Sequence, residues 1–259
     1  MTAAVALAAV AAAALLFWLW WRARREVARL HGRLEDAAGR LERLQHTFSR
    51  FAPDPVIERV IAGGLDGRGE KKEVTVLFAD LAGYTPLAET LDPSRLVGIL
   101  NGYFERMSRA IREHRGRVST FLGDGMLALF GAFEPNPWQG DDAARAALAM
   151  RAALADYNRE LAAQGLPPLA FGVGLHRGVG VAGLVGSADK KEFAIVGRTV
   201  NVAARVQVQT RQHEADILLT EDLARTLAPS FRLARLAPVE LKGVAAPVVL
   251  YALEGEAQA

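Results

Sequence analysis

The sequence predicts an α/β (α+β) chain with a ferredoxin-like core, preceded by a membrane-spanning helix and a coiled-coil helix. Three observations carry this. An uncharged apolar run fills residues 3–21, apolar residues recur at alternating spacings of three and four through residues 27–51, and from residue 73 the pattern reads β, α, β, β, α, β.

The first run, "AAVALAAVAAAALLFWLWW", is long enough to cross a bilayer core as a helix and closes on aromatic residues suited to the membrane interface. Arg22, Arg24 and Arg25 follow it, and no Lys or Arg precedes it. That charge order disfavours a cleaved signal peptide and, by the positive-inside rule, puts the N-terminus outside and the rest in the cytoplasm. The expected location is the inner (plasma) membrane, single-pass, with no extracytoplasmic sensor domain. A signal peptide or a weakly inserting Ala-rich segment is the alternative.

Val27, Leu30, Leu34, Ala37, Leu41, Leu44, Phe48 and Phe51 trace an a/d seam with charged residues between. Such a seam needs a partner helix, and two chains anchored in one bilayer are already aligned as a parallel dimer. The alternative is one amphipathic helix folding back on its own domain. Residues 52–72 read as a short helix and a Gly-rich charged linker. The expected divisions are therefore 1–21, 22–51, 52–72 and 73–255.

Within the last division, "EVTVLFAD" (73–80) is apolar on both faces, as a central strand is. The stretch 93–114 is a helix with Pro93 at its start and Gly116 beyond its end. "GRVSTFL" and "MLALFGAF" flank Gly123-Asp124-Gly125, a hairpin whose glycines permit positive backbone angles. An Ala-rich helix over 141–164 precedes strands at "LAFGVGLH" and "GVAGLV", a helix from about Thr199, and short elements to "PVVLYALE".

Composition narrows the chemistry. With 259 residues, 51% hydrophobic, the chain is not disordered, and the absence of Cys excludes thiolate chemistry and Cys-ligated zinc. The five His show no ligand spacing, and a net charge of +2 gives no reason to expect nucleic-acid binding.

Oxygen ligands are better placed. Asp80 ends a strand and is followed by Leu81, Ala82, Gly83, Tyr84 and Thr85, where small residues at a helix start expose N–H groups to phosphate. If the hairpin lies beside that strand, Asp80 and Asp124 converge and share hard divalent cations; ordinary turn chemistry is the competing account. Asn201 and Arg205 stand one helical turn apart on one face. "GVGVAG" (178–183) matches G-x-G-x-x-G but is not followed by a helix, and reads as a hairpin strand. His176 has no ligand-spaced partner and reads as structural.

Taken in order, "VLFADLAGYT", "FLGDGMLALFG", "GLHRGVGVAGLVGS", "FAIVGRTVNVAAR" and "VELKGVAAPVVLY" resemble the signature segments of class III nucleotidyl cyclases, over about residues 73–253. The resemblance implies Asp80 and Asp124 as metal-binding aspartates, the Leu81 carbonyl as a further ligand, and two Mg²⁺ or Mn²⁺ per active site. It implies Asn201 and Arg205 as transition-state residues and Lys242 as a triphosphate contact. Ala82, Gly83, Tyr84, Thr85 and Gly123 join the substrate-binding positions. It also implies conversion of a nucleoside triphosphate, ATP favoured, to a cyclic nucleotide and pyrophosphate at a homodimer interface.

Two positions depart from the pattern. Thr120 stands where adenylyl members carry lysine, and Ala194 where they carry an aspartate or threonine that meets adenine. The base is left unspecified, so GTP or a pyrimidine nucleotide is an alternative substrate, and a weakly active regulatory or nucleotide-binding module is a further alternative. Arg198 replaces an acid or amide, and is expected to meet substrate or interface.

Overall fold

The computed structural model describes residues 69–83, 87, 89, 91–187 and 191–257, with Arg22 and Arg24. The expected membrane helix and coiled coil, and most of the linker, lie outside these residues, as do Tyr84 and Thr85. All elements below fall within the unit Glu58–Ala259. Among the described residues no helix is long and apolar enough to cross a membrane.

In chain order these are β1 (Glu70–Ala82), α1 (Pro93–Glu113), β2 (Arg117–Leu122), β3 (Gly125–Phe130), α2 (Gln139–Ala163), β4 (Ala170–Gly186), β5 (Lys191–Val196), α3 (Arg198–Gln209), β6 (Ile217–Thr220), α4 (Glu221–Ala224), β7 (Phe231–Arg235) and β8 (Leu250–Glu256). The sheet order is β2-β3-β1-β4-β6-β8-β7, with β5 paired to β4. The first six elements are thus the βαββαβ unit expected, with β1 between β3 and β4.

Strand β1 is central because its middle carries no charge: Val74, Thr75, Val76 and Leu77 are fully buried. Its two faces serve two cores. Leu77, Ala79 and Leu81 pack with α1 and α2, while Val74 and Val76 pack with Ala203 of α3. The strand begins at Glu70, inside the stretch read as linker, because pairing with β4 runs from Ala82↔Ala170 out to Glu70↔Ala182. Backbone pairing, not side-chain polarity, extends it.

Helix α1 starts where Asp92 accepts from the N–H groups of Ser94 (2.9 Å) and Arg95 (3.4 Å), with Pro93 in the first turn. A cap of this kind contributes about 1 kcal/mol. Ile99, Tyr103, Met107 and Ile111, three or four apart, form its buried stripe. Helix α2 buries Ala143, Ala144, Ala146 and Ala147 completely, and these small side chains bring it close to its neighbours.

The two strands expected at "LAFGVGLH" and "GVAGLV" are one, the 17-residue β4. Its alternating glycines explain the misreading, since they weaken a strand pattern without breaking the backbone. They also have a packing use. A Cβ on Gly174 would collide with the backbone of Ala203 and Gln207, and one on Gly172 with Thr210, so α3 lies directly on β4.

Candidate active site

The register that builds the sheet also builds the carboxylate corner. Strand β3 pairs with β1 as far as Ala79↔Met126, which carries Gly125 up against Asp80. A Cβ on Gly125 would stand 2.9 Å from the Asp80 Oδ1 and 3.0 Å from the Ala79 carbonyl oxygen. The hairpin glycines therefore differ in purpose. Only Gly123, with φ +65°, uses the positive backbone angle expected of both; Gly125 is small to admit a carboxylate. The Leu122↔Gly125 pair leaves Gly123-Asp124 as a two-residue loop, placing Asp124 at the tip beside Asp80.

The electrostatics report the same convergence. Burial pushes the Asp80 carboxyl above the usual carboxylate range, the charge of Asp124 pushes it further, and Arg211 opposes both. Burial, with Asp80 and Asp124 behind it, also raises the Tyr103 hydroxyl, which is buried without a hydrogen-bond partner. Among the described residues no group of three or more His, Cys, Asp and Glu side chains converges. Asp80 and Asp124 form a two-carboxylate site, and its donor chemistry fits Mg²⁺ or Mn²⁺: hard oxygen ligands, like charges held together, and the Leu81 carbonyl adjacent. Of the stretch expected to bind phosphate, Ala82 ends β1 and Gly83 turns at φ +73°.

Asn201 and Arg205 lie elsewhere. Helix α3 is fixed along β4, with Thr199 donating to the Val179 carbonyl (2.6 Å) and Thr210 seated over Gly172, the β4 partner of Asp80. Asn201 is nine residues before Thr210 and Arg205 five, about 13 Å and 8 Å back along the helix at 1.5 Å per residue. Asn201 is exposed. The Arg205 guanidinium instead meets the loop carrying Lys242: a Cβ on Gly243 would lie 3.4 Å from Arg205 Nη1. Leu241, buried with Val202 and Val206 of α3, holds that loop in place. The chain therefore presents two groups of site residues, carboxylates at one end of α3 and amide, guanidinium and lysine along its earlier turns.

The two positions expected to meet the base, Thr120 and Ala194, sit on β2 and β5, with β3, β1 and β4 between those strands in the sheet. Thr120 follows a register shift between Val118 and Thr120, a bulge of the kind that re-aims side chains. Its hydroxyl makes a long contact, 3.4 Å, to the Phe121 carbonyl. Ala194 pairs with Gly183 and shares its face of the β4–β5 arm with the exposed Val181, Val185 and Val196.

"GVGVAG" lies wholly within β4, as expected of a strand. His176 is buried, with Nδ1 2.8 Å from the Thr220 hydroxyl, and burial lowers its pKa; its role is structural. Arg198, exposed at the start of α3, lines a cavity of about 540 Å³ with His176, Arg177 and Asp222. Sequence reasoning missed Arg211. Its Nη2 lies 3.6 Å from the Asp80 Oδ2 and 3.4 Å from the Leu81 carbonyl oxygen. An arginine just past a helix end carries no signal of the partner it will find.

Comparison with known proteins agrees with this geometry. Residues 68–255 match the adenylate and guanylate cyclase catalytic domain. The adenylate cyclase of Anabaena cylindrica is 33% identical over 203 residues, covering 75% of this chain and 39% of that protein. Among solved structures, the guanylyl cyclase Cya2 is 31% identical with a TM-score of 0.66, over 74% of this chain and 96% of that one. The adenylyl cyclase CyaB from P. aeruginosa is 26% identical with a TM-score of 0.69, over 73% and 96%. The chain spans under two-fifths of the length of the curated relatives, 39% and 35% for the first two. From the match over residues 68–255 and the shared fold, the chain belongs to the adenylate and guanylate cyclase catalytic-domain family.

Proposed function

We propose that this chain is a membrane-anchored nucleotidyl cyclase that converts ATP to 3′,5′-cyclic AMP and pyrophosphate by two-metal catalysis at a homodimer interface. One observation carries the reading. Asp80 and Asp124 meet at one end of the sheet, while Asn201, Arg205 and Lys242 stand apart from them in the same chain. Two chains facing each other would make two complete sites from these halves.

Asp80, Asp124 and the Leu81 carbonyl would hold Mg²⁺ or Mn²⁺, which lowers the pKa of the ribose 3′-hydroxyl and neutralises the triphosphate. Asn201 orients the ribose, so that its 3′-oxygen faces the α-phosphorus in line with the leaving pyrophosphate. Arg205 meets the charge that builds on the α-phosphoryl oxygens, and Lys242, held beside it, takes the β- and γ-phosphates. The small-residue stretch Ala82-Gly83-Tyr84-Thr85 would, by its sequence, offer backbone N–H donors to the phosphates. Membrane anchoring rests on the run at 3–21 and the arginines after it, and dimer alignment on the heptad seam.

ATP is favoured because two relatives, covering 75% and 90% of this chain, are named adenylate cyclases and because the Thr120 hydroxyl could meet a base edge. A second reading keeps the chemistry and changes the base: Ala194 offers no hydrogen bond, and the similar Cya2 is a guanylyl cyclase. The test is to incubate the full chain with ATP, GTP, CTP or UTP and Mg²⁺ or Mn²⁺, identifying cyclic products by mass spectrometry, with Asp80→Ala as control. Cyclic AMP as main product is expected. Another cyclic nucleotide selects the second reading, and no product at all leaves a binding module. Mixing Asp80→Ala with Asn201→Ala protein tests the shared interface. Activity should return in the mixture; silence in verified heterodimers overturns it.

A further inference from the structure

Gly172 decides where α3 ends. Because it lacks a Cβ, Thr210 sits directly over β4 at the position that pairs with Asp80, and Thr210 is tied back to α3 through its hydroxyl, 2.6 Å from the Gln207 carbonyl. The next residue, Arg211, is thereby delivered to the carboxylate corner. A single nitrogen, Nη2, lies 3.6 Å from the Asp80 Oδ2 and 3.4 Å from the Leu81 carbonyl oxygen. These are two of the three oxygen donors assigned to the metal ions. A guanidinium and a divalent cation compete for them, because their charges repel at such range.

We propose that Arg211 is a positioning residue that competes with divalent metal for Asp80 and Leu81, so that metal binding detaches the end of α3 from the carboxylate corner. The proposal rests on the metal-site reading above and deepens it. Its consequence follows from the layout of α3. On the dimer reading, the helix whose end is tied to one chain's carboxylates also carries, on its earlier turns, the Asn201 and Arg205 that would serve the site completed by the other chain. Metal entry at one site is therefore felt by the helix that serves the other. The contact is half exposed and no shorter than 3.4 Å, so the competition is modest and readily reversed.

The test measures metal affinity without nucleotide, by electron paramagnetic resonance of free against bound Mn²⁺, on the full chain in detergent. Relative to the unaltered chain, Arg211→Ala and Arg211→Gln should bind Mn²⁺ about three- to tenfold more tightly, Arg211→Lys should fall between, and Asp80→Asn should lose the site. Hydrogen exchange of residues 205–211 should also quicken on Mn²⁺ binding in the unaltered chain and be already fast in Arg211→Ala. Unchanged affinity in both neutral variants, with Asp80→Asn still losing the site, overturns the role of Arg211 alone. Unchanged affinity in Asp80→Asn overturns the metal-site reading and this proposal with it.

Discussion

Asp80 lies two residues inside the end of β1 and Glu256 at the end of β8, and the fold treats them in opposite ways. Glu256, closing β8, receives Arg145 of α2 through Nε at 3.1 Å and Nη2 at 2.8 Å, and that hydrogen-bonded pairing holds its carboxyl below the usual range. Asp80 is half-buried, faces the like charge of Asp124, and is raised by both burial and that charge. Its cationic neighbour among the described residues, Arg211, is 3.6 Å away. One carboxylate serves cohesion. The other is held in an unfavourable ionisation state, as residues that bind cations or do chemistry commonly are.

Substitution sharpens that contrast. The largest effect expected is on turnover: Asp80→Ala should lower kcat/KM about a thousandfold, roughly 4 kcal/mol of transition-state stabilisation, whereas Glu256→Gln should leave it within about twofold. Steady-state kinetics on both variants checks this, and equal losses would erase the distinction.

Stability should move the other way. Because the Glu256 pKa is depressed on folding, its contribution is present above the ordinary carboxylate pKa and lost as pH falls through the lowered value. Glu256→Gln should therefore cost about 1 kcal/mol at neutral pH and nothing in strong acid, measured by denaturant unfolding across pH. The Asp80 pKa is raised, so its protonated form is the one that favours folding, a contribution present below the ordinary carboxylate pKa and lost as pH rises through the raised value. Asp80→Asn should then raise Tm at neutral pH, with the gain vanishing in acid. A fall in Tm at neutral pH would contradict the raised pKa.

The smallest effect concerns the base. Thr120→Lys, placing a donor on β2 beyond the bulge, should shift kcat/KM toward ATP over GTP by about threefold, within the range of one hydrogen bond. No shift would place Thr120 outside base recognition.

Much of this was legible in the chain itself. The apolar middle of β1, the Pro93 start of α1 and the Gly123-Asp124 hairpin are local signals, and each is where the sequence puts it. Asp80 and Asp124 stood out as carboxylates at a strand end and a hairpin tip, and Asn201 and Arg205 by their one-turn spacing, while their roles came from the family resemblance. The extension of β1 back to Glu70, the fusion of two expected strands into β4, the smallness of Gly125 and the contact of Arg211 with Asp80 were not legible. Each depends on a partner far away in sequence. Residue type and short-range periodicity set which elements form and which side chains can do chemistry, because those follow from local backbone preferences and burial. Which carboxylate faces which cation, and which glycine yields to which neighbour, came only from strand register and helix packing, since those alone bring residues distant in sequence into contact.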